Sequence, residues 1–203
     1  MKEYFDFLQD LGARESGNRY DIENAFGFLG RWQFGKMRIY DAGYSVDNYS
    51  PKGMPKKKLI SKKYFLDNKD AIQDRIMFWH VHNLADSINK KHSGYYGQII
   101  NGITITLSGL VAGAHLKGLG GVKQFLNGND NADALGTKIS EYIDKFGGYN
   151  LYNPKLKDQI AEIDKLAVAR PNEIIKSWIL KQYTSYNPNK NIIGVFYFLL
   201  DKR

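Results

Sequence analysis

Apolar residues recur at helical spacing near the start of the chain. Phe5, Leu8 and Leu11 lie about one helical turn apart, and Gly17 interrupts the pattern. We therefore predict a first helix whose C-terminal end lies near Glu15.

A longer helical pattern occupies the middle of the chain, and we expect that helix to be central to the core. Asp70 and Gln73 are predicted to form a capping box at its start, because a short acceptor three residues before a glutamine suits a helix N-terminus. The apolar positions that form its buried stripe are Ile72, Ile76, Trp79, Leu84 and Ile88.

The other helical patterns are shorter. We predict one helix around residues 33–42 and another that begins with "GLVAGAHL", where either Thr106 or Ser108 can be the N-cap. A further helix is predicted through "TKISEYIDKF".

Turn-rich and β-prone stretches separate these helices. "YYGQIINGITITLSG" predicts a short β element, and "NRYDIENAFGFLGRWQFG" predicts a turn-rich segment or a short hairpin. Residues 47–63 are predicted as an exposed basic loop, and residues 117–130 as a glycine-rich turn region. The whole pattern predicts a mostly α protein with one small β element, in the α+β class.

Composition limits the class of protein. With 203 residues, of which 43% are hydrophobic, the chain suits one domain with a full core and not two large independent domains. Aromatic residues make up 14% of the chain, which would suit a cleft that stacks against flat or sugar-like faces. The net charge of +8 favours a polyanionic partner: nucleic acid, a membrane surface or an anionic cell-wall polymer.

Several kinds of chemistry are excluded or disfavoured. The chain has no cysteine, which excludes disulfides, thiol catalysis and cysteine-bound zinc. His80 and His82 are two residues apart on a predicted helix and point to different faces, so we expect packed or surface histidines and no metal site. "GLGGVKQF" lacks the spacing of a phosphate loop, so no nucleotide cofactor is predicted.

The first residues predict neither a cleaved signal peptide nor a membrane anchor. "MKEYFDFLQDLGARE" contains acids and no continuous apolar core. The longest apolar stretch, "IIGVFYFLL", is far too short to cross a bilayer, so no stable membrane insertion is predicted. A target outside the cytoplasm would then require another device for delivery.

Glu15 is the acid that these patterns single out. A carboxylate near a helix C-terminus is most often a solvated charge, and the helix dipole disfavours its ionised form there. An acid whose anion is disfavoured, beside apolar aromatic segments, suits a general acid at neutral pH. Glycoside cleavage needs such a group, because the leaving sugar oxygen must be protonated as the oxocarbenium-like state develops.

A motif begins at the same residue. In "ARESGNRYDIENAFGFLGRWQFG", Glu15-Ser16 ends a predicted helix and is followed by Gly27, Gly30 and Gln33. This arrangement resembles the catalytic opening of the lysozyme-like superfamily, in particular the lytic transglycosylases and related phage or toxin-type muramidases. In those proteins a Glu-Ser helix end precedes a G-x-x-G-x-x-Q stretch.

Two later segments are similar to the same superfamily. Residues 114–122 resemble its A-Y-N-A-G-x-G-x-V segment, and "ISEYIDKFGGY" resembles the segment that brings a tyrosine back to the catalytic glutamate. The three motifs occur in the family's order across residues 1–149. The resemblance therefore implies a lysozyme-like catalytic domain over residues 1–149.

The rest of the chain, residues 150–203, matches no motif. Asn153 followed by Pro154 predicts a helix start, Pro171 predicts another, and the tail "NIIGVFYFLL" suits either a strand or a buried helix. We expect an added C-terminal helical lobe packed on the catalytic domain.

The resemblance implies a role for four residues and no cofactor. Glu15 would be the general acid and then the base, Gln33 would line the cleft, His115 would touch the glycan or the surroundings of the acid, and Tyr142 would orient Glu15 by a hydrogen bond. Structural alternatives remain for three of them: Gln33 as a helix cap, His115 as a core histidine and Tyr142 as a packed ring.

The chain also departs from the family pattern. His115 stands where the family usually has tyrosine, and Leu116 stands where it has asparagine, so the sugar contacts of that segment would differ. "WQFG" replaces the family's usual residues around Gln33, which leaves the alignment of that glutamine open.

The number of acids separates two reactions. A hydrolase needs a second carboxylate, whereas a lytic transglycosylase uses a hydroxyl of the substrate and a single glutamate. Asp21, Glu23 and Asp41 are the acids available nearby, and none lies in a motif. The sequence therefore favours single-acid chemistry, with Asp41 as the alternative that would restore an inverting muramidase.

The resemblance implies that the partner is peptidoglycan, cleaved between N-acetylmuramic acid and N-acetylglucosamine. A non-catalytic glycan-binding module on the same scaffold is the main alternative, and a nucleic-acid-binding protein is a weaker one, because no recognised binding motif is present. Delivery to the cell wall, by a holin, a secretion machine or a removed leader, stays open, as does the oligomeric state.

Overall fold

The computed structural model describes residues 2–132 and 135–151, apart from the side chains of residues 69–71. These residues belong to one compact unit, Met1–Asn153. The C-terminal lobe expected over residues 150–203 lies outside the described residues from residue 152 onward.

The described part of the chain is mostly helical and has two small two-stranded sheets, which confirms the predicted class. The helices are α1 (Tyr4–Ser16), α2 (Lys36–Asp41), α3 (Lys62–Asp67), α4 (Arg75–His92), α5 (Leu107–Leu126) and α6 (Ile139–Lys145). The strands are β1 (Tyr44–Val46), β2 (Lys58–Ile60), β3 (Ile99–Ile100) and β4 (Ile103–Thr104). A π-helical turn (Lys69–Asp74) precedes α4, and a 3-10 turn (Ser93–Tyr95) follows it.

One of the two sheets was predicted and the other was not. β3 and β4 form the antiparallel hairpin expected from the β-prone stretch. β1 and β2 pair in parallel, with Ser45 opposite Leu59. The prediction of a continuous loop over residues 47–63 is wrong at its end, because β2 lies within that range and α3 begins there.

Helix α1 ends immediately after Glu15. Gly17 adopts the left-handed conformation with a φ of 66°, and its N–H donates to the carbonyl of Ala13. The N–H of Asn18 then donates to the carbonyl of Gly12 at 3.0 Å. Glycine tolerates this conformation without strain, so Gly17 fixes the point at which the helix stops.

Gln73 is not a capping residue, and that prediction is wrong. Its side chain is fully buried. Its Oε1 accepts from the N–H of Arg31 at 3.0 Å, and its Nε2 donates to the carbonyls of Tyr20 and Phe65 at 2.9 and 3.1 Å. Gln73 thus ties the turn-rich segment after α1 to the start of α4, and Gly30 gives it room, since a Cβ there would lie 2.0 Å from Oε1.

The stripe of α4 is buried as predicted, except that Trp79 is only half-buried. Of the two candidate N-caps of α5, Thr106 is the cap: its Oγ1 accepts from the N–H of Gly109 at 3.1 Å. Ser108 is buried and instead accepts from the N–H of Tyr149 at 3.0 Å.

Helix α5 continues to Leu126, so the prediction of a turn region over residues 117–130 is wrong for most of that range. Gly118 is not helical, with a φ of 67° and a ψ of 176°, so α5 consists of two helical segments that meet at a bend there. Val122 and Phe125, beyond the bend, are fully buried. Their burial stabilises a helix that the glycines alone disfavour.

Small residues let α5 and α6 approach closely. A Cβ on Gly109 would lie 2.4 Å from the carbonyl oxygen of Ile143, and one on Gly113 would lie 2.9 Å from Cγ1 of the same residue. This close packing positions Tyr142 of α6 against the end of α1. Within residues 2–132 and 135–151, no helix combines the length and apolar character needed to span a bilayer.

Candidate active site

Glu15 lies at the end of α1 and is largely covered. Its side chain is 13% exposed, so the carboxylate is not an ordinary surface charge. The hydroxyl of Tyr142 donates to Oε1 of Glu15 at 2.7 Å. This contact joins α1 to α6 and orients the carboxylate.

Tyr142 is a buried ring whose hydroxyl is held in the protonated form. Burial raises the pKa of its phenol, and the neighbouring Glu15 carboxylate raises it further. The guanidinium of Arg14, whose carbon lies 5.5 Å from the centre of the ring, opposes this shift. At neutral pH Tyr142 is therefore a hydrogen-bond donor to Glu15.

His115, in the first half of α5, approaches the same oxygen. Its Nε2 lies 3.8 Å from Oε1 of Glu15, and its side chain is 6% exposed. Burial lowers the pKa of His115, while the Glu15 charge and a hydrogen bond with the backbone of Trp32 raise it in part. The ring is consequently neutral at neutral pH.

His80 completes the cluster, and the sequence analysis did not assign it a role. Its Nε2 lies 3.0 Å from Nδ1 of His115. Burial lowers its pKa well below the usual value, with smaller contributions from His115 and Arg38. His82 behaves differently, since it is half-buried and its Nδ1 meets the carbonyl of Phe78 at 2.9 Å.

A signal for His80 was present in the sequence. Ile76, Leu84 and Ile88 are buried at four-residue or eight-residue intervals along α4, and His80 falls on the same stripe. A histidine on the buried face of a helix needs a polar partner. The spacing of His80 and His82 argues against a metal site and does not reveal that partner.

Phe34 forms an apolar wall beside the two histidines. It is 2% exposed, and its ring meets His80 edge-on at 5.6 Å and His115 at 5.9 Å between ring centres. Phe34 could not be predicted from the sequence, because the stretch around it shows turns rather than a periodic pattern.

Gln33, unlike Tyr142, makes its side-chain hydrogen bond with a residue other than Glu15. Its backbone φ is 49°, and its Nε2 donates to the carbonyl of Gly30 at 2.8 Å. That hydrogen bond lies within its own turn, and in the described part of the chain Gln33 makes no hydrogen bond with Glu15. Gly35 is the N-cap of α2, so Gln33 does not cap that helix either, and the predicted helix start at residue 33 is too early.

Ser16 joins the end of α1 to the segment that carries Phe34. Its hydroxyl donates to the carbonyl of Arg31 at 2.7 Å and accepts from the N–H of Arg19 at 3.0 Å. The structure thus brings Glu15, His115 and Tyr142 together, with Ser16 holding the adjacent turn in place.

The acids considered as a second carboxylate are all exposed and lie in ion pairs. Asp41 lies 3.6 Å from Arg38, Asp21 lies 3.7 Å from Arg19, and Glu23 lies 2.7 Å from Lys62. Exposed pairs of this kind contribute little to stability.

A metal centre is not indicated. Among the residues that the structure describes, no group of three or more His, Asp or Glu side chains could hold an ion. The cluster is a single buried carboxylate with a tyrosine donor and a neutral histidine pair.

No family model, curated protein or solved structure that was compared with this chain matches the chain.

Proposed function

We propose that this protein is a lysozyme-like glycosidase that cleaves the β-1,4 bond between N-acetylmuramic acid and N-acetylglucosamine in peptidoglycan. The observation that carries the proposal is the hydrogen bond of 2.7 Å from Tyr142 to the covered carboxylate of Glu15. It joins two of the three segments in which the motifs resemble the lysozyme-like superfamily, and His115 of the third lies 3.8 Å from the same oxygen.

The contacts of Glu15 suggest how it would act. Tyr142 and His115 both face Oε1. Oε2 is then the oxygen that carries the acid proton to the leaving sugar oxygen. Once ionised, Glu15 is the base for the second step, and Tyr142 keeps the same orientation because its hydroxyl remains protonated.

We propose transglycosylation rather than hydrolysis. In that reaction a hydroxyl of the sugar itself attacks the anomeric carbon, so one acid is sufficient. An inverting muramidase with Asp41 as the second acid is the alternative. Asp41 is exposed and lies 3.6 Å from the guanidinium of Arg38.

The charge of the whole chain supports an anionic glycan substrate. The net charge of +8 complements the lactyl-peptide carboxylates of peptidoglycan and its companion anionic polymers. The site would act at the cell wall after delivery of the protein there. Residues 150–203 would form the added lobe.

The test is digestion of purified peptidoglycan with the wild-type protein, Glu15→Gln and a matched control, Glu23→Gln. The control makes the same chemical change in the exposed acid that pairs with Lys62. We expect Glu15→Gln to lower fragment release about 100-fold or more with the fold intact, and Glu23→Gln to retain wild-type activity. If Glu15→Gln clears peptidoglycan at the wild-type rate, Glu15 is not the catalyst.

Mass spectrometry of the fragments separates the reactions. A 1,6-anhydro end indicates transglycosylation, whereas a reducing end together with inactivity of Asp41→Asn indicates the hydrolase. Retention of the protein on insoluble peptidoglycan without soluble fragments would instead indicate the non-catalytic binding module.

A further inference from the structure

We propose that His80 is a positioning residue for the Glu15 site: it fixes the tautomer of His115, so that the N–H of His115 Nε2 faces the carboxylate. The inference rests on the proposed function only for its effect on activity. The arrangement of protons can be tested without any substrate.

The distance between the two rings requires a hydrogen bond. His80 Nε2 and His115 Nδ1 are 3.0 Å apart, and a neutral imidazole carries one N–H and one lone pair. Burial lowers the pKa of both histidines, so both are neutral at neutral pH. Either His80 donates to His115, or His115 donates to His80.

The surroundings of His80 favour the first arrangement. Among the described residues, its Nδ1 is buried and has no hydrogen-bond partner. If His115 donated, the proton of His80 would have to lie on this Nδ1, as an unpaired N–H in the core. Such orphaned donors are rarer in proteins than unpaired acceptors, so the proton belongs on Nε2.

The surroundings of His115 favour the same arrangement. When His115 Nδ1 accepts from His80, its own proton lies on Nε2, which is 3.8 Å from Oε1 of Glu15. The opposite tautomer would direct a lone pair at the carboxylate.

Packing and charge around the pair restrict other arrangements. Phe34 lies edge-on against both rings. The charged groups that face the histidines are Glu15 from α1 and Arg38 from α2, and the positive charge of Arg38 lowers the pKa of both rings. With this tautomer, Oε1 of Glu15 faces two N–H or O–H groups.

Two substitutions of His80 test whether it fixes the tautomer of His115. In His80→Phe the donor is lost, and in His80→Gln the side-chain amide can donate to His115 Nδ1 in its place. His82→Phe is the matched control, since it makes the same change two residues away on α4, outside the cluster. Long-range proton–nitrogen NMR spectra of the histidine rings report which nitrogen of His115 carries the proton.

We expect the Nε2–H tautomer of His115 in the wild-type protein, in His80→Gln and in His82→Phe, and a mixture of tautomers in His80→Phe. With soluble glycan fragments, kcat of His80→Phe should fall about 10-fold at unchanged KM, and His80→Gln should recover most of the loss.

A His115 proton on Nδ1 in the wild-type protein would overturn the inference, and so would an unchanged tautomer in His80→Phe. The wild-type spectrum decides the matter even if His80→Phe does not fold. If the wild-type protein releases no fragments, the proposed function fails, while the spectra still test the tautomer separately.

Discussion

The hydrogen bond from Tyr142 to Glu15 joins residues 127 positions apart in the chain. It restricts one oxygen of the carboxylate, Oε1. The ring of Tyr142 also packs on Phe146, with 5.7 Å between ring centres, so orientation of Glu15 and core packing depend on different parts of one side chain.

Tyr142→Phe separates these two roles. We expect fragment release from peptidoglycan to fall about 10-fold or more, since the carboxylate loses its donor. The free energy of unfolding should fall by only about 1–2 kcal/mol, because the ring still packs. Fragment release and urea unfolding measure the two effects.

Tyr149→Phe is the matched control. Its hydroxyl donates to Asp10 at 2.5 Å, so the substitution removes a hydrogen bond to a carboxylate outside the Glu15 cluster. We expect a similar loss of stability without a loss of activity. Equal activity of the two variants would contradict the role of Tyr142.

The sequence was informative about some of these residues and silent about others. Motif order singled out Glu15, His115 and Tyr142, which lie together in the structure. It also singled out Gln33, whose side chain bonds within its own turn. His80 was missed because its partner is 35 residues away, and local periodicity carries no information about such a contact.

At the scale of elements, α5 shows the limit of local propensity. Its glycine-rich second half predicted turns, yet a second helical segment follows the bend at Gly118, and Val122 and Phe125 in that segment are buried. Gln73 shows the same limit, since its backbone partners Arg31 and Tyr20 lie 42 and 53 residues away. Helices with long amphipathic patterns were predicted well from the sequence, whereas contacts between elements were not.

The bend in α5 predicts opposite effects at two glycines. A Cβ on Gly118 or on Gly120 would meet no atom within 4 Å, so sterics with other residues do not distinguish them. Gly118→Ala should lower the free energy of unfolding by about 1–3 kcal/mol, because only glycine adopts its backbone conformation readily. Gly120→Ala should raise it by up to about 1 kcal/mol. Thermal denaturation of both variants checks this, and equal effects would contradict the bend.

At the scale of the whole molecule, stability should depend on pH through buried neutral histidines. Burial lowers the pKa of His80 and His115 below the ordinary value of 6.5, and it lowers that of the more exposed His92 as well. The hydrogen bond from Tyr149 lowers the pKa of Asp10. This shift changes the pH dependence of the free energy of unfolding only below the ordinary Asp10 pKa of 3.8.

The direction in which the free energy of unfolding changes with pH follows from proton binding. Below pH 6.5 the unfolded chain takes up protons that the folded protein resists, so the free energy of unfolding falls as pH decreases from 7 to 5. The contribution of His80, whose pKa is lowered well below its ordinary value, should approach about 1.4 kcal/mol per pH unit. Urea unfolding across this range should show a slope smaller by one such contribution in His80→Gln, and an unchanged slope would contradict the prediction.

The separation of Glu15 from Tyr142 also governs when the site can form during synthesis. Glu15 leaves the ribosome long before α6 exists, and its contact with Tyr142 cannot form until 127 further residues have been synthesised. Until then the carboxylate lacks its donor. Given the proposed function, a growing or truncated chain carries the acid without the setting that makes it catalytic, so activity would begin only when α6 is in place.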